Sequence, residues 1–137
     1  FFSLAYSDYV SSGLLGFLGS LVRAIPVSAD RNLRETLRLA VEGLRQGLVL
    51  LVFPEGERSI DGRLKVFRKG PAILATHLRL PVVPVGIRGS YEAWPRGSKR
   101  IRLHPITIRF GRPLRPEPGE SVDAFNERLR RAVVELL

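Results

Sequence analysis

The stretch LVLLVFPEGERSIDGRLKVFRKG, residues 48–70, decides how the rest of the chain is read. Its first part, LVLLVF, is a short continuous apolar run that ends in a turn, the pattern of a central parallel strand enclosed on both faces. Pro54, Glu55, Gly56, Glu57, Arg58 and Ser59 follow at once, with Arg63, Lys65, Arg68 and Lys69 close behind. In open α/β sheets ligands bind beyond the carboxyl ends of the strands, so PEGERS stands where a site is expected. Gly56 admits backbone angles barred to other residues and lets a ligand approach the main chain. Arg58 offers a planar donor fork suited to a phosphate or a carboxylate. Glu55 could orient that arginine or accept a hydrogen bond from a substrate hydroxyl. Glu57 reads as a solvated turn residue. For Glu55 and Arg58 taken alone, a phosphate seat and a plain charged turn stay equally open.

Working outward, NLRETLRLAVEGLRQG (32–47) carries apolar residues at helical spacing, Leu33, Leu37, Ala40, Val41 and Leu44. Asn32 suits the N-cap and Gly47 the C-terminal stop. Residues 11–23 read as a short helix and AIPV (24–27) as an extended piece. Downstream, GPAILATHL reads as a helix with Gly70 and Pro71 in its first turn. PVVPVGI (81–87) reads as a second buried strand with its prolines at the start or at a bulge. PITIRFG (105–111) alternates apolar and polar residues, as a strand nearer the edge does. A closing helix puts Val122, Phe125, Leu129, Val133 and Leu136 on one face. Strand and helix alternate, so the expected class is α/β with a largely parallel central sheet flanked by helices.

Length and composition narrow the partners. At 137 residues and 15.3 kDa the chain fits a single domain with a true core. It has 22 basic residues against 13 acidic ones, a net charge of +9, which favours anionic partners: nucleic acid, an anionic membrane surface, or phosphorylated small molecules. The absence of cysteine excludes disulfides, thiolate metal sites and a cysteine nucleophile. The apolar run at 10–22 is interrupted by three glycines and is shorter than the roughly 20 residues a spanning helix needs.

FPEGERS (53–59) together with LPVVPVGIRGS (80–90) resembles the glycerolipid acyltransferase family, with the intervening FRKGPAILATHL and the spacing also in agreement. The resemblance runs over roughly residues 1–115. Four sequence blocks mark that family. Two are matched here: Phe53 to Ser59, where many members have Thr in place of Glu57, and Leu80 to Val85 with Pro81 and Pro84. The second block departs from the family pattern. Arg23-Ala24-Ile25-Pro26-Val27-Ser28-Ala29-Asp30-Arg31 shifts Arg31 by two residues from the place of a substrate-binding arginine. The first block, a histidine followed five residues later by an aspartate, does not occur. Five residues after His77 stands Val82, and five after His104 stands Arg109. His77 reads as a packing residue on its helix and His104 as an exposed loop residue.

What the resemblance implies is an acyltransferase that passes a fatty acyl group from acyl-CoA or acyl carrier protein to the hydroxyl of a lysophospholipid or glycerol-phosphate acceptor. Glu55, Gly56 and Arg58 would hold the acceptor phosphate. Pro54, Ser59, Arg31, Pro81 and Pro84 are secondary substrate candidates. No cofactor and no metal are implied. The family's histidine acts as general base and its aspartate orients it. Since the chain lacks that pair and has no methionine at position 1, the expectation is that both lie upstream of Phe1 and that residues 1–137 form one acyltransferase domain, inactive alone. The basic stretch Arg96, Lys99, Arg100 and Arg102 beside Trp94 suits anionic lipid head groups or the phosphates of CoA, or is a solvated face. Two other readings stand beside this one: a catalytically degenerate relative that binds lipid or phosphate, and a basic nucleic-acid-binding module. The last is disfavoured because no nucleic-acid motif accompanies the charge, and no nucleic-acid partner is expected.

Overall fold

The computed structural model describes residues 2–6, 24–27 and 33–137, with side chains from residue 38 onward. The chain divides into two compact units, Phe1–Phe53 and Pro54–Leu137.

In the first unit, strand β1 (Phe2–Tyr6) lies between β2 (Ala24–Val27) and β3 (Leu50–Leu51), and both pairings are parallel. Parallel neighbours need a crossover. Helix α1 (Leu33–Arg45) lies between β2 and β3 in the chain and touches both. Its small residue Ala40 is fully buried. The helix stops where predicted: Gly47 takes φ +79°, its N–H donates to the Leu44 carbonyl at 3.1 Å, and Leu48 donates to Gly43 at 3.0 Å. A left-handed residue closing the orphan carbonyls is the ordinary end of a helix.

The second unit is built on two helices. Helix α2 (Gly70–Leu78) begins with Pro71 in its first turn, and helix α4 (Val122–Val134) is capped by Ser121, whose Oγ accepts from the Ala124 N–H at 3.1 Å. Ala72 and Ala75 of α2 meet Phe125 and Leu129 of α4, and Val82, Leu114 and Val122 close the cluster. Phe125 is the largest wholly buried side chain among the described residues. Small residues on one helix let the ring of the other come close. Between these helices in the chain run β4 (Val85–Arg88), the short α3 (Ser90–Ala93) and β5 (Thr107–Phe110). Strands β4 and β5 pair antiparallel, Val85 opposite Phe110 and Ile87 opposite Ile108. A bridge between Val82 and Leu114, with both bonds at 2.8 Å, ties the ends together.

The α/β alternation is as expected, but the expected largely parallel central sheet is found only as the three strands of the first unit, since β4 and β5 form a separate antiparallel pair. Three local readings also need correction. LVLLVF contributes only Leu50 and Leu51 as strand, with Val49 and Leu51 67% and 44% exposed, so it is not enclosed on both faces. An apolar run cannot by itself tell a central strand from one with a single neighbour. PVVPVGI enters its strand only at Val85, after the buried Pro84, while Pro81 and Val83 are exposed. His77 is exposed on α2 rather than packed, because Ala72, Leu74 and Ala75 take the inward face. His104 is exposed, as read. The readings at 11–23, at Asn32 and at Arg31 fall outside the described residues.

Candidate functional site

The site is the loop 54–69 of the second unit, between the chain's apolar run and α2. It leaves Pro54 and returns beside it: the Arg68 N–H donates to the Pro54 carbonyl at 2.8 Å. Its tip is set by Gly56 at φ +74°, a conformation that costs a residue with a Cβ roughly 1–2 kcal/mol. The space a Cβ would need is filled as well. The side chain of Arg68 lies there, its Cδ only 2.8 Å from that position.

Two acids brace the loop. Glu55 is half-buried, and its Oε2 accepts the Lys65 backbone N–H at 2.8 Å. It therefore ties the loop's two limbs together and does not orient Arg58. Glu57, read from sequence as a solvated turn residue, receives both Lys65 Nζ at 2.9 Å and Arg96 Nη1 at 2.6 Å. Hydrogen bonds from Lys65 and Arg96 pull its carboxyl down to about 2 from an ordinary value of 4.5. Ser59 is turned inward along the chain, its hydroxyl donating to the Arg63 carbonyl at 2.9 Å and to Asp61 at 3.2 Å. Asp61 also accepts the Arg63 N–H at 3.0 Å, which holds its carboxyl below the usual range.

Arg58 is held from the far side. Its guanidinium donates through Nη2 to the Trp94 carbonyl and lies over the Trp94 ring, 4.5 Å from the centroid. The indole is itself fixed, its Nε1–H donating to the Ser98 carbonyl at 2.8 Å. Tyr91 adds a strut from its hydroxyl to the Ile60 carbonyl at 2.9 Å. A guanidinium has five N–H donors in a rigid fork. One is spent on Trp94, and stacking orients the others without consuming them. Arg58, Arg68, Lys65 and Arg96 thus surround a turn whose two acids are already engaged, an arrangement that favours an incoming anion.

The predicted residues divide accordingly. Pro54, Glu55, Gly56, Arg58 and Ser59 are brought into one braced loop. Pro81 and Pro84 are not: Pro84 accepts the Gly111 N–H at 2.9 Å beside β5, and no hydrogen bond among the described residues joins either proline to the loop. Arg68 and Trp94 were not singled out as site residues. The basic cluster after PEGERS was the signal for Arg68. Nothing local announces that Trp94 lies against a residue 36 positions away. Among the described residues there is no cluster of three or more His, Cys, Asp or Glu able to hold a metal ion.

Residues 1–88 match the family model named Acyltransferase, and the chain belongs to that family. Its curated relatives include the 1-acyl-sn-glycerol-3-phosphate acyltransferases of Limnanthes douglasii, 39% identical over 117 residues, and Cocos nucifera, 38% identical over 98 residues. The matched region covers 81% of this chain and 41% of the Limnanthes protein, and 72% and 31% for the Cocos protein. The chain thus spans less than half the length of these relatives. The crystal structure of the 1-acyl-sn-glycerophosphate (LPA) acyltransferase PlsC from Thermotoga maritima superposes with a TM-score of 0.80, covering 98% of this chain and 54% of that one at 23% identity. That likeness establishes a shared fold.

Proposed function

We propose that this chain provides the acceptor-phosphate seat of an enzyme that transfers a fatty acyl group from acyl-CoA or acyl carrier protein to the hydroxyl of a lysophospholipid such as 1-acylglycerol-3-phosphate, in phospholipid synthesis. The observation that carries the reading is the braced FPEGERS loop, in which Arg58 is clamped on Trp94 while its other donors make no hydrogen bond among the described residues. Relatives with 1-acyl-sn-glycerol-3-phosphate acyltransferase in their names support the substrate class.

In this reading Arg58 takes the acceptor phosphate in its fork, Gly56 lets the phosphate approach the main chain, and Glu55 keeps the loop closed by holding Lys65. Arg68, over Gly56, is a second cation for the same phosphate. Pro54 and Ser59 shape the loop, and Arg31, Pro81 and Pro84 are further substrate contacts. Fixing the phosphate fixes the hydroxyl, and such positioning is worth several kcal/mol of a barrier, up to roughly 7–11 for ideal alignment. The hydroxyl oxygen bonds to the thioester carbonyl carbon, the thiolate leaves, and the hydroxyl proton passes to a base. The family resemblance assigns that base to a histidine of a His-x-x-x-x-Asp block, so no residue of this sequence is given the role. The reaction needs no metal or further cofactor. The protein works on a membrane, at its cytoplasmic face, as its substrate class and positive charge suggest. Among the described residues no helix is long and apolar enough to cross a bilayer.

The test is Arg58→Ala in the open reading frame that carries this chain, assayed for acyl transfer from acyl-CoA to lysophosphatidate. Loss of a charge-assisted contact of about 1.5–3 kcal/mol should raise the acceptor KM roughly 10- to 100-fold while the donor KM barely moves. Equal changes in both would assign Arg58 to the fold alone. Retained lysophosphatidate binding with no transfer by the unmutated protein would leave a binding role and remove the catalytic one.

A further inference from the structure

Between Glu92 and Glu117 the chain carries no acidic residue but seven basic ones, Arg96, Lys99, Arg100, Arg102, Arg109, Arg112 and Arg115. The remaining fifteen basic residues face all thirteen acids, so this one strip holds nearly the whole excess charge of +9. Of its cations only Arg96 has an acidic partner among the described residues. The same strip leaves its aliphatic side chains bare. Leu103 is fully exposed, Ile101 and Phe110 are each 73% exposed, and Ile106 and Ile108 are each 54% exposed. Alternation along β5 puts Ile106, Ile108 and Phe110 on one face. On that face Ile108 is flanked across the ladder by Ile87, also exposed. On the opposite face only the β4 residue Gly86 is buried, beside Leu136, while its partner Arg109 stays exposed with Nη1 donating to the Leu136 carbonyl at 3.4 Å.

We propose that this strip docks on an anionic bilayer, with Ile101, Leu103, Ile106, Ile108 and Phe110 entering the boundary between head groups and acyl chains and Lys99, Arg100 and Arg102 lying on lipid phosphates. Neither half of the pattern suffices alone. Exposed aliphatic residues in water lose free energy that a bilayer returns, and uncompensated cations gain it near anionic lipid. Two such signals together are what a reversible membrane contact requires. A nucleic acid would use the cations but has no use for Leu103, Ile101 or Ile106. The inference deepens the acyltransferase reading by naming the surface through which it meets its lipid, and it rests on that reading only for the biological purpose of the contact.

The chain has no cysteine, so a single label reports one position. Leu103→Cys, and separately Glu127→Cys on α4 as control, would carry an environment-sensitive fluorophore and be mixed with vesicles of phosphatidylcholine and phosphatidylglycerol at 70:30 and of phosphatidylcholine alone, neither containing an acceptor lipid. The expected result is a blue shift at 103 with the anionic vesicles, little with the neutral ones, and none at 127. In sedimentation with the anionic vesicles, Ile101→Ser with Leu103→Ser should weaken binding roughly tenfold or more. Neutralising Lys99, Arg100 and Arg102 to Gln should do the same and flatten the salt dependence. Three results would overturn the proposal: an unshifted label at 103, release from vesicles by random oligonucleotide, or a blue shift without vesicles that dilutes away, which would mean a second copy of the chain. None of them touches the acyl-transfer assay, so this inference and the acyltransferase reading can fail separately.

Discussion

Two regions of the second unit treat their charges in opposite ways. In the loop 54–69 the acids and most of the polar side chains have internal partners: Glu55 holds a backbone N–H, Glu57 holds two cations, Ser59 and Asp61 hold Arg63. In the strip 99–110 cations and aliphatics alike face outward, and the ordered bonds are mostly main-chain, such as Arg102 N–H to the Ala93 carbonyl at 2.8 Å. A region that satisfies its own groups can hold a geometry against a small ligand. A region that satisfies few of them is shaped for a partner that supplies the missing contacts. The loop fits a seat and the strip fits a contact surface, and the difference lies in where the partners of the charges come from.

The most drastic way to break the comparison is to remove what the loop stands on. Asn126 on α4 donates through Nδ2 to the Phe67 carbonyl at 3.2 Å, and the next residue toward the N-terminus, Phe125, is the wholly buried ring against α2. Phe125→Ala should cost about 3–5 kcal/mol of stability, a large share of what a domain of this size has. Urea unfolding measures it. If the loop takes its order from α4, lysophosphatidate binding should fail at lower urea than in the parent protein. A loss under 1 kcal/mol would mean that the helix pair is not the foundation of the second unit.

These regions were unequally legible in the sequence. Helices α1, α2 and α4 were visible because each carries its own signals: helical spacing with Gly47 behind α1, Pro71 at the start of α2, and the apolar stripe of α4. The position of the site was visible too, since a charged glycine turn after an apolar run is a local pattern. Its wiring was not. That Glu55 would reach the Lys65 amide rather than Arg58, that Glu57 would gather Arg96 from 39 positions away, and that Trp94 would carry Arg58 are all products of how the second unit closes on itself. Strand burial failed for the same reason. Val49 and Leu51 are apolar enough for a core, but exposure depends on which neighbours arrive, and no local pattern encodes that.

A smaller effect sharpens the role of the loop's tip. Gly56→Ala keeps every charge but adds a Cβ at φ +74° where the Arg68 side chain lies. Backbone strain should take roughly 1–2 kcal/mol from stability. Arg68 is exposed and can swing aside, so the collision itself adds little to that cost. Its displacement should instead appear as weaker phosphate binding. Titration with glycerol 3-phosphate should then show Gly56→Ala and Arg68→Ala losing similar affinity, while only Gly56→Ala lowers the unfolding temperature. If Arg68→Ala bound the phosphate as well as the parent, the second cation of the proposed seat would be removed from the argument.

The finest distinction is the pH dependence of Glu57. Its carboxyl sits at about 2 in the folded chain against an ordinary 4.5, through hydrogen bonds from Lys65 and then Arg96. A depressed carboxyl contributes stability above its unfolded value and loses it as pH falls toward the folded one, so the contribution is complete above 4.5 and fades down to about 2. The carboxyl is exposed, so water and salt reduce the effect and added salt should reduce it further. The expected observation is that the unfolding temperature of the parent falls more steeply between those pH values than that of Glu57→Gln. The depressed carboxyls of Asp61 and Glu120 titrate in both proteins and cancel in the difference. Above pH 5 the gap between the two proteins should stay constant. Parallel curves across the acid range would show that Lys65 and Arg96 approach Glu57 without holding it, and the internal bracing that sets the loop apart from the strip would then rest on Glu55, Ser59 and Asp61.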